Sequence, residues 1–437
     1  MKGVKTNMFF LKRYSELRDE VMYKHNMICK SGDRAYQYYS EKFKMVYKKQ
    51  SVKGEELYLY TNTSYDLDQT QYIFYDFDTL DIGKPVALYE TDYLLIDGVR
   101  INYCDFQNCN IKNIIFRSCS FSGSAFINVN FEQVIFDSCI FSVPVTEDGK
   151  KAVNDTYYAP AIFKDCIFVG KFLGCDIENT LFEKVCFTLT KFESSSLQES
   201  IFNMCALSSV DFKDCNLSNF GICNTDILDL SFSDEHKSIV NENTFIDYRI
   251  NTKKERNKEE ITTVSGWKLN SFDDMCLKKA KSIKATSRIY ELNNLSDFSG
   301  EYFYQSKLVE HKALHKLPKL ISTLELVLCG YGERPLFTII TIIATTFLLG
   351  LVYMFTGINA DGYSINYTII KGSPVEFFEA VADYGQCLYF SIITGTIGYG
   401  NYDPVGVLSK VISSLHMIMG ISLFTLWTGC IFRKIAR

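Results

Sequence analysis

The sequence predicts a multidomain protein in which a stacked solenoid is followed by two membrane-spanning helices. Two patterns in the 437-residue chain carry this prediction. Between residues 96 and 232 an apolar side chain recurs at every fifth position, and near the C-terminus two long, almost uncharged apolar segments follow one another. Only about the last quarter of the chain has the composition of a membrane protein.

Composition narrows the class of protein. The length allows two or three domains, and the net charge of −5 argues against a general nucleic-acid-binding protein. Fifteen cysteines would suggest disulfides in a small secreted protein, but residues 1–26 lack the apolar core of a signal peptide. We therefore expect buried thiols in a reducing cytoplasm. No nucleophile–base pattern or metal motif is present, so we predict no enzyme and no cofactor.

Residues 1–95 are predicted to form an N-terminal flank, helical over 1–50 and with short strands over 51–95 that lead into the first coil. The repeat then occupies 96–235. A period of five suits neither a helix nor a strand, because both would scatter the repeated residues over several faces. The chain must turn a corner once per repeat, and stacked coils then bury a shared core. The repeat centres include Phe106, Ile111, Phe116, Phe121 and Phe126.

Small residues stand two positions before many centres, and eight of them are cysteines, such as Cys104 and Cys109. This pattern resembles the pentapeptide-repeat family, which implies a right-handed quadrilateral β-helix with four repeats per coil. The polar stretch 142–160 interrupts the repeat and is expected to be a surface loop, or alternatively a partner-binding loop. Some relatives mimic DNA and bind topoisomerases. The moderate acidity and the attached membrane segments favour a rigid scaffold or oligomerisation element instead.

The segment 236–333 is predicted to be a helical linker. It contains a helical hairpin over 281–317, ended by Pro318, and a short apolar stretch over 319–328. That stretch is too short to span a bilayer. We expect an interfacial helix, with a core helix of the soluble part as the alternative. Gly330-Tyr331-Gly332 is interpreted as an ordinary turn.

Residues 334–437 form the predicted membrane module, with spans at 336–356 and 407–432. The first span carries no charge, and about 20 apolar residues suffice to cross the hydrocarbon layer. His416 in the second span is expected to be a packed or hydrogen-bonded residue, with a sensing role as the alternative. Basic residues before the first span and after the second place both termini in the cytoplasm of a multi-pass plasma-membrane (inner-membrane) protein.

A short helix predicted over 375–394 separates the spans and leads into a glycine-rich motif. The motif is Thr396, Ile397, Gly398, Tyr399 and Gly400. Alternating glycines let an extended backbone turn its carbonyls to one side, where they can replace the water shell of an ion. The arrangement resembles the pore module of two-helix potassium channels. That resemblance implies a pore helix, a K+ selectivity filter at 396–400 and a homotetramer around one axis.

Three further positions follow from this resemblance. Gly420 lies where inner helices of the family often carry a hinge glycine, although it could equally permit close helix packing. Asn401 stands where the family usually has an acid that bonds to a pore-helix aromatic, and Tyr389 is expected in the matching place. The missing charge puts filter stability in doubt more than K+ selectivity.

The resulting prediction is passive, potassium-selective conduction by a tetramer. Its expected partners are potassium ions, the lipid bilayer, other copies of the chain and an unknown cytoplasmic protein or ligand on the repeat domain. No nucleic acid is expected. Two alternatives remain open: a membrane-tethered interaction scaffold with a non-conducting pore, and a signal-triggered depolarising defence effector.

Overall fold

The structure is a computed structural model. It describes residues 50–52, 71–73, 75–84, 86–102, 104–145, 157–233, 238–248, 261–262, 268–269, 272–360, 362–367, 377–396 and 402–435. The chain divides into two compact units, Met1–Ala313 and Leu314–Arg437. The helix predicted over 1–50 lies outside the described residues, except for Gln50, which begins a strand.

The first unit is built mainly of short strands. In chain order they are β1 (Gln50–Val52), β2 (Gln71–Ile73), β3 (Tyr75–Asp78), β4 (Asp81–Gly83), β5 (Leu94–Asp97), β6 (Arg100–Asn102), β7 (Asp105–Gln107), β8 (Asn110–Arg117), β9 (Ala125–Ile127), β10 (Asn130–Asp137), β11 (Ser142–Val145), β12 (Tyr157–Pro160), β13 (Ile162–Lys164), β14 (Ile167–Leu173), β15 (Leu181–Glu183), β16 (Cys186–Glu193), β17 (Ile201–Asn203), β18 (Ala206–Lys213), β19 (Gly221–Cys223), β20 (Asp226–Ser233), β21 (Phe245–Ile246), β22 (Ile261–Thr262) and β23 (Lys268–Leu269).

These strands stack into a β-solenoid, which confirms the predicted fold. One parallel sheet runs β1-β3-β7-β9-β13-β15-β17-β19-β21 and a second runs β20-β18-β16-β14-β10-β8-β4. Phe182 pairs with Phe202 and Phe202 with Ile222, so successive coils are offset by 20 residues, or four repeats of five. The stack starts before the expected boundary at residue 96, since β3 and β4 already pair with β7 and β8.

The repeat centres form the core. Phe172 and Phe192 stack face to face with ring centroids 4.7 Å apart, and Phe106 and Phe126 do the same at 4.7 Å. The repeat cysteines are buried free thiols, as expected for a reducing compartment. The Sγ of Cys205, for example, donates to the carbonyl oxygen of Phe182 one coil below at 3.3 Å. Small thiols therefore fill the corners and satisfy backbone acceptors.

One coil of the solenoid is one residue short. Phe163 pairs with Phe182, only 19 residues further on, and the register of β14 against β10 shifts between Glu132 and Val134. Gly170 lies at this shift, where a Cβ atom would be 1.9 Å from the carbonyl oxygen of Val134. A side chain cannot fit there, so glycine allows the coil to omit one residue.

The insertion at 142–160, which was expected to be a surface loop, begins and ends in paired strands. β11 and β12 pair antiparallel from Ser142 opposite Pro160 to Val145 opposite Tyr157. The insertion is therefore a β-hairpin that leaves the solenoid, and its tip at 146–156 lies outside the described residues.

Two helices close the C-terminal end of the solenoid: α1 (Phe272–Leu292) and α2 (Ser296–Ala313). Their tyrosines bond to the backbone of the last coil, where Tyr290 donates to the Thr244 carbonyl at 2.5 Å and Tyr302 to that of Ile246 at 2.9 Å. The predicted hairpin is thus present, but it begins at Phe272, earlier than residue 281, and it caps the repeat.

The second unit contains four helices and a small sheet among its described residues. The helices are α3 (Lys316–Cys329), α4 (Pro335–Thr356), α5 (Phe377–Thr396) and α6 (Gly406–Ile435). The strands are β24 (Ile358–Ala360), β25 (Tyr363–Ile365) and β26 (Tyr402–Pro404), paired in the order β25-β24-β26. α4 and α6 are long and apolar enough to cross a membrane.

The expectation that Pro318 ends the hairpin is wrong. Pro318 lies in the first turn of α3. Backbone N–H groups in the first turn have no carbonyl partner within the helix, so the missing N–H of proline breaks no hydrogen bond there. The hairpin ends at Ala313, and α3 covers the whole of the short apolar stretch 319–328. One face of α3 is exposed, with Leu320, Leu324 and Val327 each more than half accessible.

Candidate ion-conduction site

The helix α5 leads directly into the glycine-rich motif. It ends at Thr396, two residues beyond the predicted end at 394. The Thr396 hydroxyl donates to the Ile392 carbonyl within the same helix at 2.7 Å. The other predicted filter residues, Ile397, Gly398, Tyr399 and Gly400, lie outside the described residues, as does Asn401. The described residues that flank the motif are those of α5, up to Thr396, and those of β26, from Tyr402 onwards.

Side-chain hydroxyls fasten α5 to the outer helix α4. Tyr384 donates to the carbonyl oxygen of Phe347 at 3.1 Å, and Ser391 donates to that of Thr346 at 2.8 Å. The helices also approach closely at Gly350, where a Cβ atom would lie 3.2 Å from the Cα of Leu388. Polar bonds to main-chain carbonyls and a glycine contact are typical of tightly packed membrane helices.

The C-terminal end of α5 packs on α6 through two glycines. A Cβ atom on Gly420 would lie 2.1 Å from the carbonyl oxygen of Gly395 and 2.9 Å from its Cα. Of the two sequence interpretations of Gly420, the structure therefore supports close helix packing. α6 runs as one helix through this position, and a hinge at Gly420 stays a prediction.

His416 belongs to the same contact. It is buried, its Nδ1 lies 3.1 Å from the Tyr353 hydroxyl, and its Nε2 would be 2.9 Å from a Cβ atom on Gly395. A hydrogen-bonded, packed histidine was the expectation for this position. Tyr353 in turn packs edge-on against Phe390 of α5 at 4.8 Å, so the three helices meet around this pair.

The chain segment after the motif is held by a sheet that the sequence did not predict. In β24 and β26, Ile358 pairs with Pro404 and Ala360 with Tyr402. The buried Tyr402 donates its hydroxyl hydrogen to the side-chain oxygen of Gln386 on α5. Tyr389, the predicted filter support, is half exposed and its ring lies edge-on to Tyr402 at 5.3 Å.

The Gln386–Tyr402 pair was missed because its two members are distant in sequence. One signal was available: Gln386 stands three residues before Tyr389, which puts both on one face of α5. A second polar contact joins the residues after β25 to α5, where the Tyr367 hydroxyl donates to Asp383 at 2.7 Å. Desolvation, together with this hydrogen bond to the Asp383 carboxylate, raises the pKa of Tyr367.

The turn between α3 and α4 contains the second Gly-Tyr-Gly sequence. Gly330 adopts a left-handed conformation with φ of 52°, and its N–H bonds to the Leu326 carbonyl, which ends α3. This confirms an ordinary turn. Beside it, Glu333 forms an ion pair with Arg433 near the end of α6, with Nη2 and Oε1 2.9 Å apart.

Comparisons with known proteins agree with this architecture. Residues 342–437 match the ion channel family, and residues 104–142 match pentapeptide repeats in eight copies. The chain joins an ion channel domain to a pentapeptide-repeat domain. The ion channel match includes most of α4 and all of α5 and α6. No curated protein matches the chain.

Solved structures of QnrB1, a plasmid-mediated fluoroquinolone resistance protein, are similar to part of the chain. The full-length protein shares 16% identity with a TM-score of 0.19, and covers 34% of this chain and 79% of its own. A trypsin-treated form shares 13% identity with a TM-score of 0.16, and covers 41% and 86%. The repeat assignment rests on the family match and on the 20-residue register.

Proposed function

We propose that the chain is one subunit of a potassium-selective channel that conducts K+ passively through the plasma membrane as a homotetramer. The single observation that carries the proposal is the position of the TIGYG motif. Within a matched ion channel domain, the motif starts at the last residue of α5 and ends two residues before β26. Thr396 to Gly400 would then line the path with backbone carbonyls, as selectivity filters for K+ do.

Four copies follow from the same chemistry. One extended segment offers oxygens on one side of an ion only, so a closed ring of segments around a symmetry axis is needed to replace the water shell. In each proposed subunit, the packing of α5 on α4 and α6 would support one such segment. Positive-inside logic, with Arg334 before α4 and Arg433 and Lys434 at the end of α6, favours cytoplasmic termini.

The solenoid with its helical cap acts in this proposal as a rigid cytoplasmic element for assembly or gating. Neither matched family is an enzyme family, and we propose no catalytic role. Among the described residues no group of His, Cys, Asp or Glu side chains could hold a metal ion. The inorganic ligand that the proposal implies is the permeant K+ ion.

Flux through the reconstituted full chain tests the proposal. Liposomes carrying the protein should pass K+ down its gradient, pass little Na+ and be blocked by barium. Gly398→Ala should abolish selective flux while leaving the protein in the membrane. Gly385→Ala is the matched control, because a Cβ there meets nothing within 4 Å among the described residues. Equal K+ and Na+ flux, or unchanged selectivity of Gly398→Ala, would contradict the filter assignment.

Two outcomes favour the alternatives instead. A tetramer that never conducts would support a tethered scaffold. Selective flux together with growth arrest on induced expression would support a depolarising effector.

A further inference from the structure

The end of the outer helix and the exit of the proposed filter meet in one small sheet. β24 starts two residues after Thr356, the last residue of α4, and β26 starts two residues after Gly400. The central pair of the two strands is Asn359 and Asp403. Just beyond, the Val405 N–H donates to the Gly357 carbonyl at 3.0 Å. Main-chain pairing therefore joins the segment that leaves the filter to the segment that leaves α4.

Tyr402 adds a side-chain attachment to this main-chain one. It is 9% exposed, its hydroxyl bonds to Gln386, and its ring packs edge-on against Tyr389. Gln386 and Tyr389 belong to α5, the helix that leads into the filter. Tyr402 is thus attached on one side to α4 through the strand pair and on the other side to α5 through its hydroxyl.

The body to which Tyr402 is attached is itself well packed. Tyr353 of α4, Ile358 and Ile365 of the sheet and Phe390 of α5 form one buried cluster with Tyr402. The Tyr367 N–H donates to the Met354 carbonyl at 3.0 Å, and its hydroxyl donates to Asp383 of α5. The outer end of α4, the sheet and α5 therefore present a common frame on both sides of the filter.

We propose that Tyr402 is a positioning residue that fixes the external end of the filter to this frame, so that displacement of α4 reaches the filter through the β24–β26 pair. The inference rests on the proposed function and adds a means of regulating it. Filter carbonyls point at one another and are separated only by ions, so an extended filter needs an external restraint to stay conductive. Tyr402, two residues after Gly400, supplies such a restraint through its hydroxyl bond to Gln386.

The test removes only the hydroxyl. Tyr402→Phe keeps the ring against Tyr389 but loses the bond to Gln386, and Gln386→Met removes the acceptor at similar length. Each should speed the decay of K+ current during sustained conduction by ~5–10-fold, the effect of losing one hydrogen bond. High external K+ should slow that decay, which a purely structural defect would not show. The double variant should decay no faster than either single variant, because both remove one interaction.

The control variant is Tyr363→Phe, on the outer strand β25 of the same sheet, where the side chain is 55% exposed. It should behave as the wild type. If the wild-type protein conducts and the current of Tyr402→Phe decays at the wild-type rate, the proposal is overturned.

A second measurement does not depend on conduction. Hydrogen–deuterium exchange should increase in Tyr402→Phe for the segment 397–405, while exchange in the middle of α4 stays unchanged. Equal exchange in both proteins overturns the positioning role whether or not the wild type conducts. If exchange increases in Tyr402→Phe but the wild-type protein passes no K+, the positioning role is retained and the proposed function is rejected.

Discussion

Arg433, near the C-terminal end of α6, forms an ion pair with Glu333 in the turn that joins α3 to α4. Gly332 of the same turn lies beside the guanidinium, since a Cβ atom there would be 3.2 Å from Nη1 of Arg433. The end of the second span is therefore held at the turn from which the first span starts. Because α3 precedes this turn, we expect a displacement of α3 to act on both apolar helices at this turn.

Breaking this ion pair should change how often the pore opens. The Glu333 side chain is 11% exposed but that of Arg433 is 38% exposed, so solvent screens part of the attraction. We expect Glu333→Gln or Arg433→Gln to shift the closed-to-open ratio by ~2–5-fold, corresponding to ~0.5–1 kcal/mol. Single-channel recording measures the open probability. The charge-exchanged double variant Glu333→Arg/Arg433→Glu should restore it, whereas Lys434→Gln should have no effect.

Gly420→Ala should destabilise the membrane module rather than only stiffen α6. The added methyl group would lie 2.1 Å from the Gly395 carbonyl oxygen, so the end of α5 or α6 must move. Overpacking of this kind typically costs ~1–3 kcal/mol. Thermal melting in detergent should show a lower midpoint, and size-exclusion chromatography should show weakening of the proposed tetramer. Gly429→Ala is the control, because a Cβ there meets nothing within 4 Å among the described residues. Normal melting with altered opening would favour the hinge interpretation.

Tyr302→Phe should loosen the helical cap from the solenoid. The Tyr302 hydroxyl donates to the Ile246 carbonyl and accepts from the Ile246 N–H at 3.1 Å, so its loss leaves two buried backbone groups without this partner. The cost should be ~1–3 kcal/mol of unfolding free energy. Urea unfolding of the full chain, followed by far-ultraviolet circular dichroism, measures it. The exposed Tyr89 provides the control substitution Tyr89→Phe, and equal loss in both variants would contradict the capping role.

The solenoid should lose stability in alkali. Burial raises the pKa of Cys166, Cys205 and Cys215 to about 12, whereas an unfolded thiol titrates near ~8.5. The folded state thus holds its protons more tightly. The stability this contributes is complete below pH ~8.5 and is lost as the pH rises toward 12. Urea midpoints should stay constant from pH 7 to about 8.5 and then fall as the pH is raised to 11. A flat profile would contradict burial of neutral thiols.

The same cysteines should resist modification in the native protein. Only the thiolate reacts with disulfide reagents, and at neutral pH a raised pKa leaves almost none. Labelling with a chromogenic disulfide reagent should therefore reach these three thiols only when urea unfolds the chain. Rapid labelling of all three in the native state at pH 7.5, resolved by peptide mapping, would contradict the buried positions.

Local patterns predicted the larger elements because each was repeated or long. A centre such as Phe126 recurs every five residues, and only a chain that turns a corner per repeat can bury all its centres. α4 was evident from its uncharged length. The helical cap was predicted as a hairpin, but nothing local indicated that Tyr290 and Tyr302 bond to the last coil, 46 and 56 residues away.

By itself the sequence determined that a solenoid of five-residue repeats is followed by two spans around a TIGYG motif, because periodicity and length are properties of neighbouring residues. Only the tertiary structure decided what supports that motif. Gly420 meets Gly395, and Tyr402 meets Gln386, through contacts between separate helices and short strands. Such contacts depend on how closely two backbones approach, and a single glycine or tyrosine in a sequence carries no record of that distance.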